Sequence, residues 1–277
     1  MRIHIESGKK EINGHTQDLV KEIKLLLFDL DGTLLNSEKK ILPSSIEAIN
    51  RFRKQGVLVG VATSRGETMC LSLFKELEPD IAIVSAGAVV KVGGEIVYEA
   101  SFSNKETLAM IKAAREIGGE ETEITIDTPT EHFWNYHEDP AIFYKGWGET
   151  IYTDYAGFDK GSLKTCVQFF KEEEALAFWK RFPEADMARF SDGHWYKFTP
   201  KSASKETAIL KVLEATGFTA DNIMSFGDDF TDIGMLKNSG IGVAMGNWIP
   251  EVKEAADVVI GSNDEDGIGK FLGSLLC

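Results

Sequence analysis

The stretch LLFDLDGTL at residues 26–34 is the most informative in this chain, because an apolar run stops there at two acids. The run Leu25–Phe28 is short, bounded and fully apolar, as in a strand buried on both faces of a parallel sheet. Ligands bind beyond the carboxyl ends of such strands. We therefore expect Asp29 and Asp31, with a single residue between them, to share one polar pocket at the sheet edge.

Two neighbouring carboxylates can divide a reaction between them. Asp29 would attack as a nucleophile, and Asp31 would move a proton. A carboxylate attacks phosphorus once a divalent cation neutralises the repulsion between two anions, so phosphoryl transfer through an aspartyl-phosphate requires a hard cation such as Mg2+. We expect its oxygen ligands to include Asp29, the backbone carbonyl of Asp31 and at least one further carboxylate.

A second acidic segment, SFGDDFTD at residues 225–232, supplies that further carboxylate. It also follows an apolar run, and Gly227 permits a tight turn before the acids. We expect Asp228 to bind the metal ion and Asp232 to lie behind it. Asp229 is expected to point away from the site, in a solvated or structural role.

Groups that can hold a phosphate lie between these two acidic segments. Val57–Ala62 has the pattern of another buried strand, and it brings Thr63 and Ser64 to the same edge of the sheet. A hydroxyl and the first amides of the following helix make an anion site there. Lys205 opens a later helix and would offset the negative charge of nucleophile and substrate.

Taken together, four motifs resemble those of the haloacid dehalogenase superfamily, in the order and spacing of its Cof-like type IIB sugar-phosphatase branch. They are DxDGT at 29–33, ATSR at 62–65, the lysine at 205, and GDxxxD at 227–232. The resemblance extends over most of the chain, from Lys24 to Leu272.

The resemblance implies a role for each motif. The first aspartate is phosphorylated and the second acts as general acid and then as base; here these are Asp29 and Asp31. By the same resemblance, Thr63 and Lys205 hold the phosphate, and Asp228 binds Mg2+.

Other positions bear on the choice of substrate. The segment AMGN at 244–247 also matches the family, so Asn247 is a candidate substrate contact. Two interpretations of Arg65 stay open, since it could bind a substrate anion or pair with an acid near the cap. The chain departs from the usual family pattern at Ser64 (usually Gly), Ala86 (usually Asn), Glu206 (usually Gly) and Thr231 (usually Asn).

Strand and helix patterns alternate in the first and last thirds of the chain, which predicts a parallel sheet covered by helices. We expect an α/β fold with a Rossmann-like doubly wound parallel-sheet core, made of residues 1–92 and 196–277. Residues 93–195 differ in texture and are expected to form an inserted α+β cap. The resemblance implies the same cap, which closes over the site and selects the substrate.

The local patterns also predict individual elements. Gly93 and Gly94 mark the turn of a hairpin over Val89–Tyr98. A helix is predicted from about Glu67 to Leu77.

The segment EHFWNYHE at residues 131–138 is the densest group of side chains able to stack or form hydrogen bonds. Two interpretations stay open: cap core with a surface loop, or a substrate-facing surface that recognises the leaving group. Its two histidines, His132 and His137, lack a third partner, so a metal site there is not expected.

Composition limits the partners. A formal net charge of -14 over 277 residues, with no compensating basic stretch, argues against nucleic-acid binding. No apolar run approaches the roughly 20 residues that cross a bilayer, and residues 1–6 lack a signal-peptide profile. We expect a cytoplasmic protein without a membrane partner, and the sequence leaves its oligomeric state open.

The expected activity is that of a Mg2+-dependent phosphatase acting on small phosphorylated metabolites, for which the resemblance implies sugar phosphates. A phosphomutase or phosphotransferase would use the same groups but keep water out. A non-enzymatic protein that binds a phosphate ligand would have lost the nucleophile, the acid or the metal ligand, and Asp29, Asp31 and Asp228 are all present.

Overall fold

The computed structural model describes residues 21–137, 150–190, 193–247 and 249–276; the sequence-based statements about residues 1–6 and Glu138 lie outside them. The strands of the described residues are, in chain order, β1 (Leu25–Phe28), β2 (Leu58–Ala62), β3 (Ile81–Val84), β4 (Val89–Val92), β5 (Glu95–Glu99), β6 (Ile124–Asp127), β7 (His132–Trp134), β8 (Ile151–Tyr152), β9 (Lys164–Gln168), β10 (Ala185–Arg189), β11 (Trp195–Pro200), β12 (Ile223–Gly227), β13 (Ile241–Ala244) and β14 (Val258–Val259). The α-helices are α1 (Pro43–Arg53), α2 (Leu71–Leu77), α3 (Asn104–Gly118), α4 (Glu172–Arg181), α5 (Lys205–Thr216), α6 (Ile233–Lys237), α7 (Pro250–Ala255) and α8 (Gly267–Leu275).

The first sheet has eight strands in the order β14-β13-β12-β1-β2-β3-β4-β5. Neighbouring strands from β14 to β3 are parallel, and β4 with β5 adds an antiparallel hairpin at one edge. The first strand of the chain therefore lies inside the sheet, between β12 and β2. The strand order reverses beside β1, which is the position where open α/β sheets bind their ligands.

Helices cover both faces of the first sheet, as the apolar run of β1 predicts. Leu26 and Phe28 pack into one hydrophobic cluster with α1 and α8, while Leu25 and Leu27 pack into another with α5 and α6. All four side chains have no exposed surface, and burying each of them stabilises the fold by roughly 1.5–3 kcal/mol before the entropy of ordering is subtracted. The predicted doubly wound α/β core is confirmed.

The second sheet has six strands in the order β10-β11-β9-β6-β7-β8, antiparallel except for the last pair. Helices α3 and α4 cover one face, where Ile124 and Ile126 of β6 join the hydrophobic cluster and the rings of Phe178 and Phe198 lie 4.4 Å apart. Side chains alternate along a strand, so the residues next to these point to the opposite face. They include Thr125, Asp127, His132, Trp134, Lys164, Cys166 and Lys197. This α+β unit is the predicted cap, and we call its helix-free side the cap face.

Membership of the two sheets bears on where the cap begins and ends. β5 pairs with β4 in the first sheet. The hairpin predicted around Gly93 and Gly94 is therefore the edge of the core. β11 pairs with β9 and β10 in the second sheet. In place of the limits at 93 and 195, we propose that the cap begins after Glu99 and ends after Pro200, where these strands end.

Helix boundaries follow from local chemistry. The helix predicted over residues 67–77 starts as a 3-10 turn at Glu67–Cys70 and continues as α2. Ser103 precedes α3 and forms a reciprocal capping box with Glu106, which satisfies two backbone amides at the helix start. Over the part of the chain described here, no helix combines the length and apolar character needed to cross a bilayer.

Candidate active site

The carboxyl ends of three adjacent strands bring the predicted site residues together. β12, β1 and β2 lie side by side and pair in parallel. Asp228 follows β12, Asp29 follows β1 and Thr63 follows β2. The backbone amide of Asp29 donates to the carbonyl oxygen of Phe226 at 2.9 Å, so the strand pairing continues up to the acids. Residues far apart in sequence therefore meet at one sheet edge, as the strand patterns predict.

Three carboxylates share this edge, and their oxygens all lie within 4.8 Å of one another: Asp29, Asp228 and Asp232. Burial raises the pKa of Asp29 well above its usual value; Lys205 opposes this shift, and the charges of Asp232 and Asp228 add to it. Burial also raises the pKa of Asp228 to about 6, with a contribution from Asp232. A set of oxygen donors with this excess of negative charge fits a divalent cation.

The ammonium group of Lys205 contacts two of these carboxylates, Asp29 and Asp232. Its Nζ lies 2.6 Å from Oδ1 of Asp29 and 2.5 Å from Oδ1 of Asp232, and its side chain is only 3% exposed. Burial alone would lower the pKa of Lys205, but Asp232 and Asp29 outweigh it and raise that pKa above its usual range. The ammonium group is therefore firmly charged. We call Asp29, Lys205, Asp228 and Asp232 the core cluster.

Local structure fixes the position of Lys205 at the start of α5. Ser204 caps the helix, with its Oγ accepting a hydrogen bond from the amide of Thr207 at 2.9 Å. The loop after β3 packs directly against Ser204: a Cβ added at Gly87 would lie 2.3 Å from its carbonyl oxygen. Gly87 also has φ +95°, so only glycine permits this approach.

Asp232 braces the loop that carries Asp228. Its Oδ2 accepts hydrogen bonds from the amides of Asp228 at 3.0 Å and Asp229 at 3.1 Å, while its Oδ1 contacts Lys205. Gly227 makes room for it, because a Cβ at that position would lie 2.5 Å from Cβ of Asp232. Asp229 is exposed and caps the next turn through its side chain, which is a structural contact.

The glycine and threonine of the first motif contact Asp228 directly. Oγ1 of Thr33 donates to Oδ1 of Asp228 at 2.8 Å, and a Cβ at Gly32 would lie 2.3 Å from Oδ2. Asn247 donates through Nδ2 to the carbonyl oxygen of Gly32 at 2.6 Å and to Oδ2 of Asp228 at 3.3 Å. Asn247, the candidate substrate contact, thus orients the acids in this structure.

Asp31 is paired with two cations. It accepts hydrogen bonds from Nε and Nη2 of Arg65, both at 2.7 Å, and from Nζ of Lys39 at 2.7 Å. Burial alone would raise the pKa of Asp31, but the hydrogen bonds and charges of Arg65 and Lys39 lower it. Of the two interpretations of Arg65, pairing with an acid is the one seen here.

The loop after β2 forms hydrogen bonds with the cap. Oγ1 of Thr63 is buried and accepts a hydrogen bond from the amide of Arg65 at 3.1 Å. The carbonyl oxygen of Ser64 accepts from Nζ of Lys164 at 2.8 Å, and Oγ of Ser64 accepts from Nζ of Lys197 at 3.1 Å. Both lysines belong to the cap, so the side chain of Ser64 is turned towards the cap.

The cap face carries its own buried charges. Oδ2 of Asp127 lies 2.7 Å from Nζ of Lys164, and Oδ1 of Asp127 lies 2.5 Å from Nδ1 of His132. Burial would raise the pKa of Asp127, but Lys164 and His132 lower it to about 2. We call Asp127, His132, Lys164 and Lys197 the cap cluster.

For the described residues 131–137 of the aromatic segment, the structure places part in the cap core and part on the cap face, and recognition of a leaving group stays a prediction. Phe133 packs into the cap core, while its neighbours His132 and Trp134 point to the cap face. Trp134 meets Trp195 edge to face, with ring centroids 6.0 Å apart. His137 stacks on Tyr152, and within the described residues neither histidine of this segment belongs to a metal-ligating group.

Sequence patterns missed four of these charged residues. Lys164 and Lys197 each stand inside an otherwise buried strand, where a lone lysine is a usable signal of an internal partner. Asp127 ends β6, so it resembles an ordinary strand terminus. Lys39 has φ +60° in a turn, and nothing in the local pattern indicates that it reaches Asp31.

Two departures from the family pattern have visible consequences. Ser64 supplies the hydroxyl that Lys197 contacts, which a glycine would lack. Ala86 has a left-handed backbone, φ +62° and ψ +28°, without the side-chain amide that stabilises asparagine in this conformation.

Known proteins match this chain over nearly all of its length. The family model for haloacid dehalogenase-like hydrolases matches residues 26–272. The chain belongs to this family. Among its relatives, the putative phosphatase YkrA of Bacillus subtilis is 30% identical over 91% of this chain and 98% of its own length. The 5-amino-6-(5-phospho-D-ribitylamino)uracil phosphatase YcsE of the same organism is 28% identical over 91% and 95%.

Solved structures of this haloacid dehalogenase-like family agree with the fold. The subclass IIB sugar phosphatase BT4131 superposes with a TM-score of 0.77 at 29% identity, covering 91% of this chain and 98% of that one. These matches confirm the predicted superfamily, its Cof-like type IIB branch and the predicted enzyme class, a phosphatase.

Proposed function

We propose that this haloacid dehalogenase-like hydrolase is a Mg2+-dependent phosphatase that acts on small phosphorylated metabolites through an aspartyl-phosphate on Asp29. One observation carries the proposal: the oxygens of Asp29, Asp228 and Asp232 converge within 4.8 Å beside the ammonium group of Lys205. Asp29, Asp228 and the backbone carbonyl of Asp31 are the proposed metal ligands. Bound Mg2+ would neutralise the repulsion between the nucleophile and the phosphoryl oxygens.

In the first half-reaction an oxygen of Asp29 forms a bond to phosphorus while the bond from phosphorus to the leaving oxygen breaks. Asp31 gives its proton to that leaving oxygen. In the second half-reaction Asp31 takes a proton from water, the water oxygen bonds to phosphorus, and Asp29 leaves as a carboxylate. Inorganic phosphate is the product.

The surroundings of Asp31 suit this change of role. Arg65 and Lys39 lower its pKa in the free enzyme and so favour the carboxylate, which is the form needed to activate water. A phosphoryl dianion brought nearby raises the pKa of an acid by like-charge repulsion, which favours the protonated form needed in the first half-reaction. The substrate itself thus promotes the acid form.

Fixed groups would hold the phosphoryl oxygens. Thr63 and Ser64 follow β2 and would supply the Thr63 hydroxyl and the Ser64 backbone amide, and Lys205 adds a positive charge. Positioning and charge neutralisation are the main contributions to catalysis of phosphoryl transfer, since the protein itself has little covalent work to do.

The relatives guide the choice of substrate. YcsE is named for a phosphorylated ribityl compound, and BT4131 is described as a sugar phosphatase. Both names describe a phosphate ester on a sugar or a sugar-derived chain. We therefore propose sugar phosphates and related polyol phosphates as the first substrates to test.

The decisive experiment measures release of inorganic phosphate from p-nitrophenyl phosphate and from a panel of sugar phosphates, with Mg2+ and with a chelator. Asp29→Asn should lower turnover by about 10^4-fold or more because it removes the nucleophile. The exposed Asp221→Asn is the matched control and should stay at wild-type activity. Circular dichroism checks that both variants are folded.

Other outcomes of this experiment would replace the proposal. Wild-type turnover by Asp29→Asn would exclude covalent catalysis by that residue. Transfer of the phosphoryl group to an added alcohol, without release of phosphate, would identify a phosphotransferase or phosphomutase. Binding of phosphate esters without turnover by the wild type would identify a binding protein.

A further inference from the structure

Lys197 lies on the cap face, opposite the loop that follows β2. Strand pairing places Lys197, Cys166, Thr125 and Trp134 in one row across the sheet. The adjacent row contains Lys164, Asp127 and His132 on the same face. Helices cover the other face, so these two rows are the part of the cap that meets the core.

Contacts with the core confirm this orientation. Lys164 and Lys197 both donate to Ser64, to its carbonyl oxygen and its hydroxyl respectively. A Cβ added at Gly66 would lie 2.9 Å from Oδ2 of Asp127, so the loop after Ser64 packs tightly against the cap cluster. A substrate held by that loop therefore faces the two lysines.

Lys197 differs from the other two buried lysines of this region. Lys164 pairs with Asp127, and Lys205 pairs with Asp29 and Asp232. Lys197 is only 7% exposed, and in the described part of the chain no carboxylate lies within ion-pair distance of it. Its hydrogen bond goes to the neutral hydroxyl of Ser64.

A buried ammonium group without a counterion is unfavourable, and its surroundings increase the cost. Burial, together with the charges of Lys164 and Lys205, lowers the pKa of Lys197 to about 8, although Cys166 and Asp229 oppose this shift. Residues that bury a charge usually pair it. An anion that enters beside Ser64 would supply the missing partner. Its attraction to the Lys197 ammonium group would be strong, because the local dielectric is low.

In the proposed function, the transferred phosphoryl group is held by Lys205, the loop after β2 and the metal ion. Lys197 contacts the Ser64 side chain, on the cap side of that loop, and none of the carboxylates of the core cluster. Resting on the proposed phosphatase function, we propose that Lys197 is a specificity residue that binds a second anionic group on the leaving group, a carboxylate or a second phosphate. Substrates with two acidic groups are then preferred over neutral sugar monophosphates.

The test compares esters that differ in this second group. Wild-type enzyme is assayed with p-nitrophenyl phosphate and glucose 6-phosphate, which lack it, and with 6-phosphogluconate and fructose 1,6-bisphosphate, which carry a carboxylate and a phosphate. Lys197→Gln should lower kcat/KM for the two doubly acidic esters by about 10- to 100-fold, mainly through KM, because a charge-assisted hydrogen bond is lost. The other two esters should change by less than about threefold.

Two further variants separate charge from packing. Lys197→Arg keeps the charge and should retain the preference for doubly acidic esters. Lys201→Gln removes an exposed lysine just after the same strand and should leave all four esters unchanged. If Lys197→Gln does not fold, Lys197→Arg still tests the idea: doubly acidic esters should lose affinity above about pH 8 in the wild type but not in this variant.

Several results would overturn the assignment. An equal loss on all four esters places Lys197 on the transferred phosphoryl group or in cap closure, and no loss on any of them removes it from recognition. A wild-type enzyme without preference for the doubly acidic esters also contradicts it. If no ester is turned over, the proposed function fails separately, and calorimetric binding of 6-phosphogluconate against glucose 6-phosphate to wild type and Lys197→Gln still decides the role of Lys197.

Discussion

The core cluster and the cap cluster are both buried and both charged, but they carry opposite excess charge. The core cluster holds three carboxylates around one ammonium group. The cap cluster holds one carboxylate, a histidine and two ammonium groups, one of which has only a hydroxyl as partner. Buried charge is costly unless it is compensated, so a cation would stabilise the first cluster and an anion the second.

This contrast explains how a metal ion and a substrate can share one crevice. The two clusters face each other across the loop that contains Ser64, which both cap lysines contact. In the proposed function, negative charge on a phosphorylated substrate would be attracted to the cap side, while the cation would stay with the acids of the core. The predictions below test each half of this arrangement.

The largest effect is expected from Lys205→Gln, which breaks the core cluster. Removing one partner of a buried pair costs about 3–5 kcal/mol, and here it leaves Asp29 and Asp232 without their ammonium partner. We expect that loss in the free energy of unfolding from urea denaturation, together with a fall in kcat of about 100- to 1000-fold. Added Mg2+ should restore part of the stability, because a cation replaces the missing charge.

Equal stability of Lys205→Gln and wild type in the presence of a chelator would contradict this account. Lys211→Gln is the matched control, since Lys211 lies in the same helix and its Nζ pairs at the surface with Glu214 at 2.8 Å. Its stability should change by less than about 1 kcal/mol.

Asp127→Asn breaks the cap cluster and should cost somewhat less, about 3 kcal/mol, because the amide keeps one hydrogen-bond acceptor for Lys164. The loss should be the same with and without Mg2+, which distinguishes it from Lys205→Gln. The exposed Asp186→Asn, also in the cap, serves as control and should have little effect on urea unfolding. Recovery of Asp127→Asn by Mg2+ would show that the two clusters are not independent.

The clusters should also respond oppositely to pH. The pKa of Asp228 is raised to about 6, so in metal-free protein its protonated form stabilises the fold below about pH 4 and this contribution is lost as pH rises through about 6. The pKa of Asp127 is lowered to about 2, so its contribution is present above about pH 4 and is lost as pH falls through about 2. The difference in urea unfolding between wild type and Asp228→Asn, measured between about pH 4 and 7 in a chelator, therefore reports the contribution of Asp228.

Asp228→Asn should flatten this metal-free pH dependence, and Asp127→Asn should leave it in place. With Mg2+ present the trend should weaken or reverse, because the cation favours the ionised carboxylates. A pH profile that survives in Asp228→Asn would exclude Asp228 as its source and leave Asp29 and Glu123, whose pKa values burial also raises, as candidates.

The smallest expected effect concerns Ala86, in the loop after β3 that packs against the start of α5. Ala86→Gly removes the strain of a left-handed alanine at φ +62° and should raise the free energy of unfolding by about 0.5–1 kcal/mol. Ala88→Gly is the control, since Ala88 has a right-handed backbone at φ -69° and the same change should destabilise. Neither variant should alter the response to Mg2+ or pH.

Sequence patterns were sufficient for the core and for the position of its acids. Apolar runs that stop at Asp29, Thr63 and Asp228 predict strands with functional ends, and parallel pairing brings such ends to one edge. The same patterns did not reveal that Arg65 pairs with Asp31 or that Asn247 supports Asp228, because those choices depend on side-chain reach across loops.

The chain itself therefore determined the strands and helices of the core and the strand ends at which chemistry can take place, since burial and hydrogen bonding of the backbone act locally and repeat with a fixed period. Tertiary structure alone decided which charges face each other between cap and core. Lys164 and Lys197 contact Ser64 across 100 and 133 residues of sequence, and no periodic pattern encodes how one folded unit packs on another. That packing depends on the shape of both surfaces at once.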